Sequence, residues 1–174
     1  NFNPVKRVDR YIKAVTRINR SRRDYRAALV CAIVGDAKRE ILTMLEMVSD
    51  KANISFYDRM PQSDLNMLFN KSKVNTLLSL KEGANKGLSE GLFSGTPAIL
   101  LQENTGVRRD NINDKTGKLI PDAELEDAMI WFSEHYDEFR PDEWVEEFLS
   151  PDASTKTLAE KLAELEAFEG RAWT

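Results

Sequence analysis

Apolar positions along the chain repeat with two spacings, one typical of helices and one typical of buried strands. Arg7–Asn19 carries its apolar residues three and four positions apart and is predicted to be a helix. Ala27–Gly35 ("AALVCAIVG") is apolar until it stops at a glycine, which indicates a strand covered on both faces. "VNTLLSL" and "PAILLQ" predict two further buried strands, "ISFY" predicts a short strand, and "TGKLIP" predicts an extended piece.

Helical patterns separate these strands, at "KREILTMLEMVSD", "QSDLNMLFNKS" and Asn85–Ser94. From Asp122 onward the chain is predicted to be largely helical, in the segments "AELEDAMIWFSEHYDEF", "DEWVEEFLS" and "STKTLAEKLAELEAF". This alternation predicts an α/β fold: a Rossmann-like, doubly wound parallel sheet with helices on both faces and a C-terminal helical extension. Ligands of such sheets bind at the carboxyl ends of the strands.

The composition is that of an ordinary globular protein. The 174 residues suit one domain, with 41% hydrophobic and 31% charged residues. No apolar run reaches the roughly eighteen residues of a membrane-spanning helix. The N-terminus "NFNPVKRVDR" lacks the apolar core of a signal peptide and an initiator methionine, so we expect a fragment or a partly ordered chain. Cys31 is the single cysteine, which predicts a reducing, cytoplasmic setting.

The net charge of −4 conceals an uneven distribution. Residues 1–26 hold nine Lys/Arg and two Asp, whereas residues 121–174 hold four Lys/Arg and sixteen Asp/Glu. The basic residues of the first predicted helix share one face, which is either a solvated surface or a contact with an anionic membrane, an acidic partner or nucleic acid. Nucleic acid is the least favoured of these partners, because no aromatic residues interleave with the basic ones. The face consists of Arg10, Lys13, Arg17 and Arg20.

The segment "KEGANKGLSEGLFSGTP" (Lys81–Pro97) follows the second buried strand, which is predicted to end at Leu80. Its first residues therefore form the loop at the carboxyl end of that strand, and Asn85 is the predicted N-cap of the next helix. A helix that begins at this place offers backbone amides to an anion, of which phosphate is the usual one.

Glycine occupies every fourth position of the same segment, although glycine inside a helix costs roughly 1 kcal/mol relative to alanine. Close packing of the helix and a helix stop explain Gly87, Gly91 and Gly95. Gly83 lies in the loop, where it is predicted to let the backbone approach a ligand closely.

Two carboxylates, Glu82 and Glu90, stand eight positions apart in this segment. A carboxylate can accept two hydrogen bonds at once, which suits the paired hydroxyls of a ribose or a hexose. The alternative is that both are solvated surface charges, the usual state of glutamate. Spacing alone leaves both interpretations open.

The residues of this segment and its flanks resemble a known family. "SLKEGANKGLSEGLFSGTPAIL" is similar to the Glu, seven residues, Glu signature of retaining GT-B glycosyltransferases (group 1, family four-like) and to the Gly-Thr-Pro turn and strand that follow it. The resemblance extends over roughly residues 1–129 and includes "NFNPVKRVDRYIKAV", "ALVCAIVGD" and "NTGVRRDNINDKTGKLIP". It implies the C-terminal, donor-binding half of a two-domain enzyme, with a nucleotide-sugar-binding domain at residues 1–135. Residues 136–174 would form helices that pack on this domain or on a missing N-terminal domain.

The resemblance implies a role for each matching residue. Glu82 would contact the hydroxyls of the donor sugar, Glu90 the ribose, and Lys6 the departing diphosphate, whose charge a cation and amide dipoles stabilise. Backbone amides after the first glutamate would bind the diphosphate, and Arg59 and Met60 would contact the base. The implied donor-binding residues are Glu90, Gly83, Ala84, Asn85, Lys86, Gly87, Gly35, Arg59, Met60 and Gly106.

The implied substrates are a nucleotide-diphosphate sugar and an acceptor glycan or lipid-linked glycan, with transfer to a hydroxyl in cell-surface polysaccharide or glycoconjugate synthesis. We expect no metal and no other cofactor, since no cluster of His, Cys and Asp suggests a metal site. We expect a cytoplasmic protein, whose basic face would suit peripheral contact with the inner side of a membrane. The same face suits a lipid-linked acceptor.

The sequence also departs from the family pattern. The arginine that usually precedes the lysine would lie near Asn1 or outside the chain, and the glycine after the short strand is replaced around Asp58. Lys86 stands where many members carry an apolar or small residue. The missing arginine keeps open a non-catalytic nucleotide-sugar- or partner-binding module of the same fold, and an epimerase is a further alternative. A dinucleotide-dependent oxidoreductase is disfavoured because no Gly-x-Gly-x-x-Gly follows a strand.

Other conspicuous residues are predicted to be structural. Cys31 is expected in the core as part of a buried strand, and His135 is a lone helical histidine. Trp131, Phe132 and Trp144 are expected to pack within the C-terminal helices.

Overall fold

The computed structural model of the chain describes residues 6–31, 36–48 and 53–168. Within these residues it has seven α-helices and five strands, and single turns of 3-10 helix flank some of the helices. The strands are β1 (Arg26–Val30), β2 (Asn53–Tyr57), β3 (Asn75–Leu77), β4 (Ala98–Leu101) and β5 (Gly117–Ile120). The helices are α1 (Val8–Ser21), α2 (Asp36–Val48), α3 (Gln62–Lys71), α4 (Lys86–Phe93), α5 (Leu125–His135), α6 (Pro141–Phe148) and α7 (Pro151–Phe168).

All the strand pairs of the described residues are parallel, as the alternation of strands and helices predicts. β1 pairs with β2, β3 pairs with β4, and β4 pairs with β5. A parallel arrangement needs crossover connections, and α2, α3 and α4 supply these between successive strands. The predicted α/β fold, with parallel strands flanked by helices, is confirmed.

The hydrogen bonds of the strands form two sheets rather than one continuous sheet. One sheet contains β1 and β2, and the other has the order β3-β4-β5. A cavity of about 670 Å³ lies between β1 and β3, walled mainly by apolar side chains. The cavity is therefore lined by residues of both sheets, from β1 in one and β3 in the other.

Two predicted strands are longer than the observed ones. β3 ends at Leu77, so the residues up to Leu80 leave the ladder and approach the site as extended backbone. β1 ends at Val30, and Cys31 directly follows it, donating its backbone N–H to the Tyr57 carbonyl at 3.2 Å. The prediction of a core cysteine is wrong, because Cys31 is half-buried and lines the cavity. Gly35 lies outside the described residues.

β4 shows why the core has two layers. Its four residues are all buried, and alternate side chains point to opposite faces of the sheet. Ile99 and Leu101 pack with α1 and α5, in a cluster that includes Phe132. Ala98 and Leu100 pack on the other face with residues of α4 and α6. Helices therefore cover both faces of the β3-β4-β5 sheet.

The C-terminal part is helical, as predicted, but its first segment is not one continuous helix. α5 ends at His135, and a single 3-10 turn precedes Phe139. His135 stacks on the Trp131 ring with centroids 4.4 Å apart, and Phe132 is fully buried, which agrees with structural roles. Trp144 is partly buried against the second core cluster. α6 packs against α4, and α7 packs against α6.

Ion pairs with the start of α5 use much of the basic charge of α1. Arg10 donates to both carboxylate oxygens of Glu126 at 2.7 Å and contacts Asp122 at 3.0 Å. Arg17 also reaches Glu126 at 3.0 Å, and Arg7 reaches Asp122 at 2.7 Å. The two oppositely charged ends of the sequence therefore neutralise each other in part within the fold.

Candidate functional site

Backbone hydrogen bonds fix the loop after β3 to the connection between β4 and β5. Lys81 forms a parallel bridge with Thr105. The Thr105 N–H donates to the Leu80 carbonyl at 2.9 Å, and the Glu82 N–H donates to the Thr105 carbonyl at 3.0 Å. These bonds fix Glu82 at the carboxyl end of the parallel strands, where the sequence predicts a ligand site.

Gly106 lets its own backbone lie closer to the backbone of Glu82 than a residue with a side chain would allow. Its φ of 101° lies in the left-handed region that favours glycine. A Cβ atom at this position would lie 1.8 Å from the Glu82 carbonyl oxygen, far inside van der Waals contact. Gly106 therefore supports the backbone of Glu82, a role that its predicted place in a donor-binding loop did not reveal.

Lys6 and Glu82, the two predicted catalytic residues, contact each other directly. Lys6 Nζ lies 2.5 Å from Glu82 Oε1, with the Lys6 side chain 49% exposed and the Glu82 side chain 10% exposed. Burial raises the pKa of the Glu82 carboxyl, but the hydrogen bond and the positive charge of Lys6, together with neighbouring polar groups, more than offset this and leave the pKa below its ordinary value. Glu82 is therefore an anion at neutral pH, despite its limited access to solvent.

The next residues open α4 and present backbone rather than side chains. Asn85 is the N-cap, as predicted, and its Oδ1 accepts the Leu88 N–H at 2.8 Å. This cap satisfies one of the four amides that a helix N-terminus leaves without intrahelical partners. Ala84 and Lys86 are exposed, and a Cβ on Gly83 would meet no atom within 4 Å. Packing therefore does not explain Gly83, whereas the open space beside it fits the predicted approach of a ligand.

Glu90 lies on α4, five residues after the Asn85 cap, with its side chain 19% exposed. It lines a groove of about 330 Å³ between α3 and α4, beside Gln62, Asn66 and the half-exposed ring of Phe93. Glu90 Oε1 accepts a hydrogen bond from Gln62 Nε2 at 3.1 Å and lies 3.3 Å from Lys86 Nζ. The carboxylate is therefore held by neighbours rather than free in solvent.

The structure brings some of the predicted site residues together and separates others. Lys6, Glu82, Asn85 and Gly87 line the cavity between β1 and β3, whereas Glu90 lines the neighbouring groove. Arg59 and Met60 line neither space.

The backbone at Arg59 is informative about the loop after β2. Arg59 has a φ of 59°, a left-handed conformation that costs a non-glycine residue free energy. It directly follows Asp58, around which the sequence replaces the glycine that the family carries after this strand. Asp58 itself forms an ion pair with Lys38 of α2.

Two residues of the site were not predicted from the sequence. Ser79 is 1% exposed, lines the cavity next to Glu82, and its hydroxyl has no hydrogen-bond partner among the described residues. Its position inside an apolar stretch gave no signal of a polar role. Gln62 contacts Glu90, yet in the sequence it is only the first residue of a helix after Pro61.

Among the described residues, no group of three or more His, Cys, Asp and Glu side chains is arranged to hold a metal ion. None of the helices in the described part of the chain combines the length and the apolar character needed to cross a membrane.

Comparison with known proteins identifies the family of the chain and a solved structure with a similar fold. The family model described as "Glycosyl transferases group 1" matches residues 1–142, which is most of the chain. Among solved structures, the chain is similar to one described as "Crystal structure of GtfA/B complex", with a TM-score of 0.58 and 17% sequence identity. The match covers 79% of this chain and 30% of that one, so the chain spans less than a third of its neighbour's length. A search of curated proteins found no match.

Proposed function

The chain belongs to the group 1 family of glycosyl transferases, and we propose that it is the donor-binding part of a retaining, hexosyltransferase-type enzyme that transfers a sugar from a nucleotide-diphosphate sugar to a hydroxyl acceptor. The observation that carries the proposal is the pairing of Lys6 with Glu82 at 2.5 Å, beside the open N-terminus of α4. A cation, a buried carboxylate and free backbone amides are thereby placed at the carboxyl ends of parallel strands. A diphosphate joined to a sugar needs these three kinds of group.

Each group has a distinct task in the proposed reaction. Lys6 and the first amides of α4 bind the diphosphate and stabilise the negative charge that develops as it departs. The Glu82 carboxylate accepts hydrogen bonds from hydroxyls of the donor sugar, and Glu90 accepts them from the ribose. Because a cation and amide dipoles neutralise the leaving group in this scheme, the proposal requires no metal.

The remainder of the enzyme is also part of the proposal. A second domain would bind the acceptor, a glycan or lipid-linked glycan of cell-surface polysaccharide or glycoconjugate synthesis, so this chain would bind the donor without catalysing transfer alone. We assign donor binding to residues 1–135 and packing, on this domain or on the second one, to residues 136–174. The proposed location is the cytoplasm. The ion pairs of Arg10 and Arg17 within the chain leave less charge for contact with a membrane.

Calorimetric titration of the chain with a panel of UDP-, ADP- and GDP-sugars tests the proposal. We expect one nucleotide class to bind and Glu90→Ala to weaken that binding at least about tenfold, since hydrogen bonds to a charged group are worth roughly 1.5–3 kcal/mol. The matched control is Glu164→Ala on α7, where the carboxylate forms an exposed pair with Lys161. If no donor of the panel binds, the proposal is wrong. Binding by the chain without transfer by the complete protein would instead indicate the non-catalytic module, and an altered sugar in the product would indicate the epimerase.

A further inference from the structure

We propose that Gln62 is a positioning residue, which holds the Glu90 carboxylate in the orientation that accepts ribose hydroxyls. This inference rests on the proposed function and adds to it a residue of α3. Neither the spacing of the glutamates nor the resemblance to the family points to Gln62. It is identified by its contact with Glu90 and by the way α3 is fixed against α4.

α3 cannot shift easily along α4, because their contacts leave little room. Gly91 leaves no room for a side chain of its own on this face of α4, because a Cβ there would lie 2.6 Å from Asn75 Nδ2 of β3 and 3.3 Å from Phe69 Cε1 of α3. Thr96 Oγ1 donates to the Phe69 carbonyl at 2.7 Å, and Ser94 Oγ donates to Asn66 Oδ1 at 2.9 Å. The start of α3, and with it Gln62, is therefore held at a fixed place beside Glu90.

The two donors to Glu90 differ in kind, although both reach the same oxygen. Gln62 Nε2 lies 3.1 Å and Lys86 Nζ 3.3 Å from Oε1. The Lys86 side chain is 84% exposed and has four flexible carbons, so it contributes little to a fixed geometry. Gln62 is also exposed, but its side chain is shorter and it belongs to a helix that is held by the hydrogen bonds of Asn66 and Phe69. Among the described residues, Oε2 receives no hydrogen bond, which leaves it for a ligand.

A neutral donor suits this task better than a charged one. An amide restricts the side-chain rotamers of the glutamate before the ligand arrives, so less conformational entropy is lost on binding. Because the amide carries no charge, it leaves the negative charge of the carboxylate available to ribose hydroxyls. Gln62 would therefore act only through Glu90 and only on ligands that have those hydroxyls.

The test compares ribonucleoside diphosphates with their 2′,3′-dideoxy counterparts, titrated calorimetrically into the chain. The probes are UDP, ADP and GDP, each with its dideoxy form. Gln62→Met keeps the length of the side chain but removes the donor, and Gln102→Met is the matched control on an exposed glutamine at the end of β4. We expect Gln62→Met to weaken binding of the ribonucleotide about fivefold, the loss of one ordinary hydrogen bond, and to leave binding of the dideoxy form unchanged.

A double variant separates positioning from a general structural effect. If Gln62 acts through Glu90, Gln62→Met in a Glu90→Ala background should cause no further loss. The inference is overturned, while the proposed function stands, if Gln62→Met weakens binding of both nucleotide forms equally or does not weaken binding at all. It is also overturned if the losses of affinity from Gln62→Met and Glu90→Ala add in the double variant. If the unaltered chain binds none of the three ribonucleotides, the proposed function fails, and the inference fails with it.

Discussion

The pair of Lys6 and Glu82 leads to an expectation opposite to that for an ordinary site residue: removing the charge of Glu82 should strengthen the binding of a nucleoside diphosphate. In the ligand-free chain, Lys6 Nζ is engaged by Glu82 Oε1 at 2.5 Å. If Lys6 binds the diphosphate, that ion pair must first be weakened. Glu82→Gln keeps the shape and an acceptor oxygen but removes the charge that competes for the lysine.

The size of the effect follows from the exposure of the pair. Lys6 is 49% exposed, and pairs with such access to solvent contribute up to about 1 kcal/mol. Releasing Lys6 should therefore raise the affinity for UDP, ADP or GDP by at most about fivefold. The nucleotide sugar should behave differently, because its hydroxyls lose a charged acceptor worth roughly 1.5–3 kcal/mol. The ratio of nucleotide-sugar to nucleotide affinity should fall at least about tenfold.

Isothermal titration of the same chain with each nucleotide and its sugar conjugate measures both quantities. Glu134→Gln is the matched control, since it removes a carboxylate paired with Arg22 at the far end of α1. The gain for the bare nucleotide should shrink in high salt, which screens the ion pair in the unaltered chain. A Glu82→Gln variant that binds the bare nucleotide more weakly, or that loses nucleotide and nucleotide sugar equally, would refute the reasoning.

Two further predictions concern the support of the site and the charge contacts of α1. Gly106→Ala should lower the free energy of unfolding by about 2 kcal/mol or more in urea titrations, because its Cβ would lie 1.8 Å from the Glu82 carbonyl oxygen in a left-handed conformation. Gly83→Ala, whose Cβ meets no atom within 4 Å, should change the free energy of unfolding by less than about 0.5 kcal/mol and should weaken only ligand binding. Equal stability of the Gly106→Ala and Gly83→Ala variants would contradict this prediction. The hydrogen bond from Arg10, partly opposed by burial, lowers the pKa of Glu126 from 4.5 to about 2, so its contribution to stability is complete above about pH 4.5 and is lost as the pH falls towards 2. The contribution of Glu126 to the free energy of unfolding is at most roughly 3 kcal/mol, and about 1–2 kcal/mol after solvent screening. When the pH is lowered from about 6 to about 2.5, the midpoint of urea unfolding should fall more for the unaltered chain than for Glu126→Gln.

The order of the elements could be predicted from the sequence because strands covered on both faces are apolar throughout, whereas the helices between them repeat their apolar residues every three or four positions. β4 is apolar throughout, and its four residues are all buried. The end of β3 could not be predicted in the same way. Leu78 and Ser79 are buried without belonging to the strand, so burial continues where the hydrogen-bond ladder has stopped. Apolar pattern reports burial, and it does not report which backbone groups are paired.

The candidate site was predictable in its local part and not in its long-range part. The Asn85 cap and the helix stop at Gly95, whose φ is 74°, follow from residue types next to one another in the sequence. The contacts of Gln62 with Glu90 and of Gly106 with Glu82 join residues more than twenty positions apart. Such contacts depend on how the core places α3 and the β4–β5 connection, and no local spacing in the sequence encodes that placement.

Part of the charge segregation of the sequence is used in ion pairs that support this site. Arg10 clamps Glu126 with two hydrogen bonds of 2.7 Å, and Arg7 reaches Asp122 at 2.7 Å, so the first turn of α1 is tied to the start of α5. Arg7 has a φ of 53°, so the chain makes a left-handed turn between Lys6 and the start of α1. Lys6 immediately precedes this anchored turn and contacts Glu82, whose backbone is held by the β4–β5 connection. The basic face of α1 therefore has a structural task within the chain, because it sets the position of the cation on which the proposed binding of a diphosphate depends.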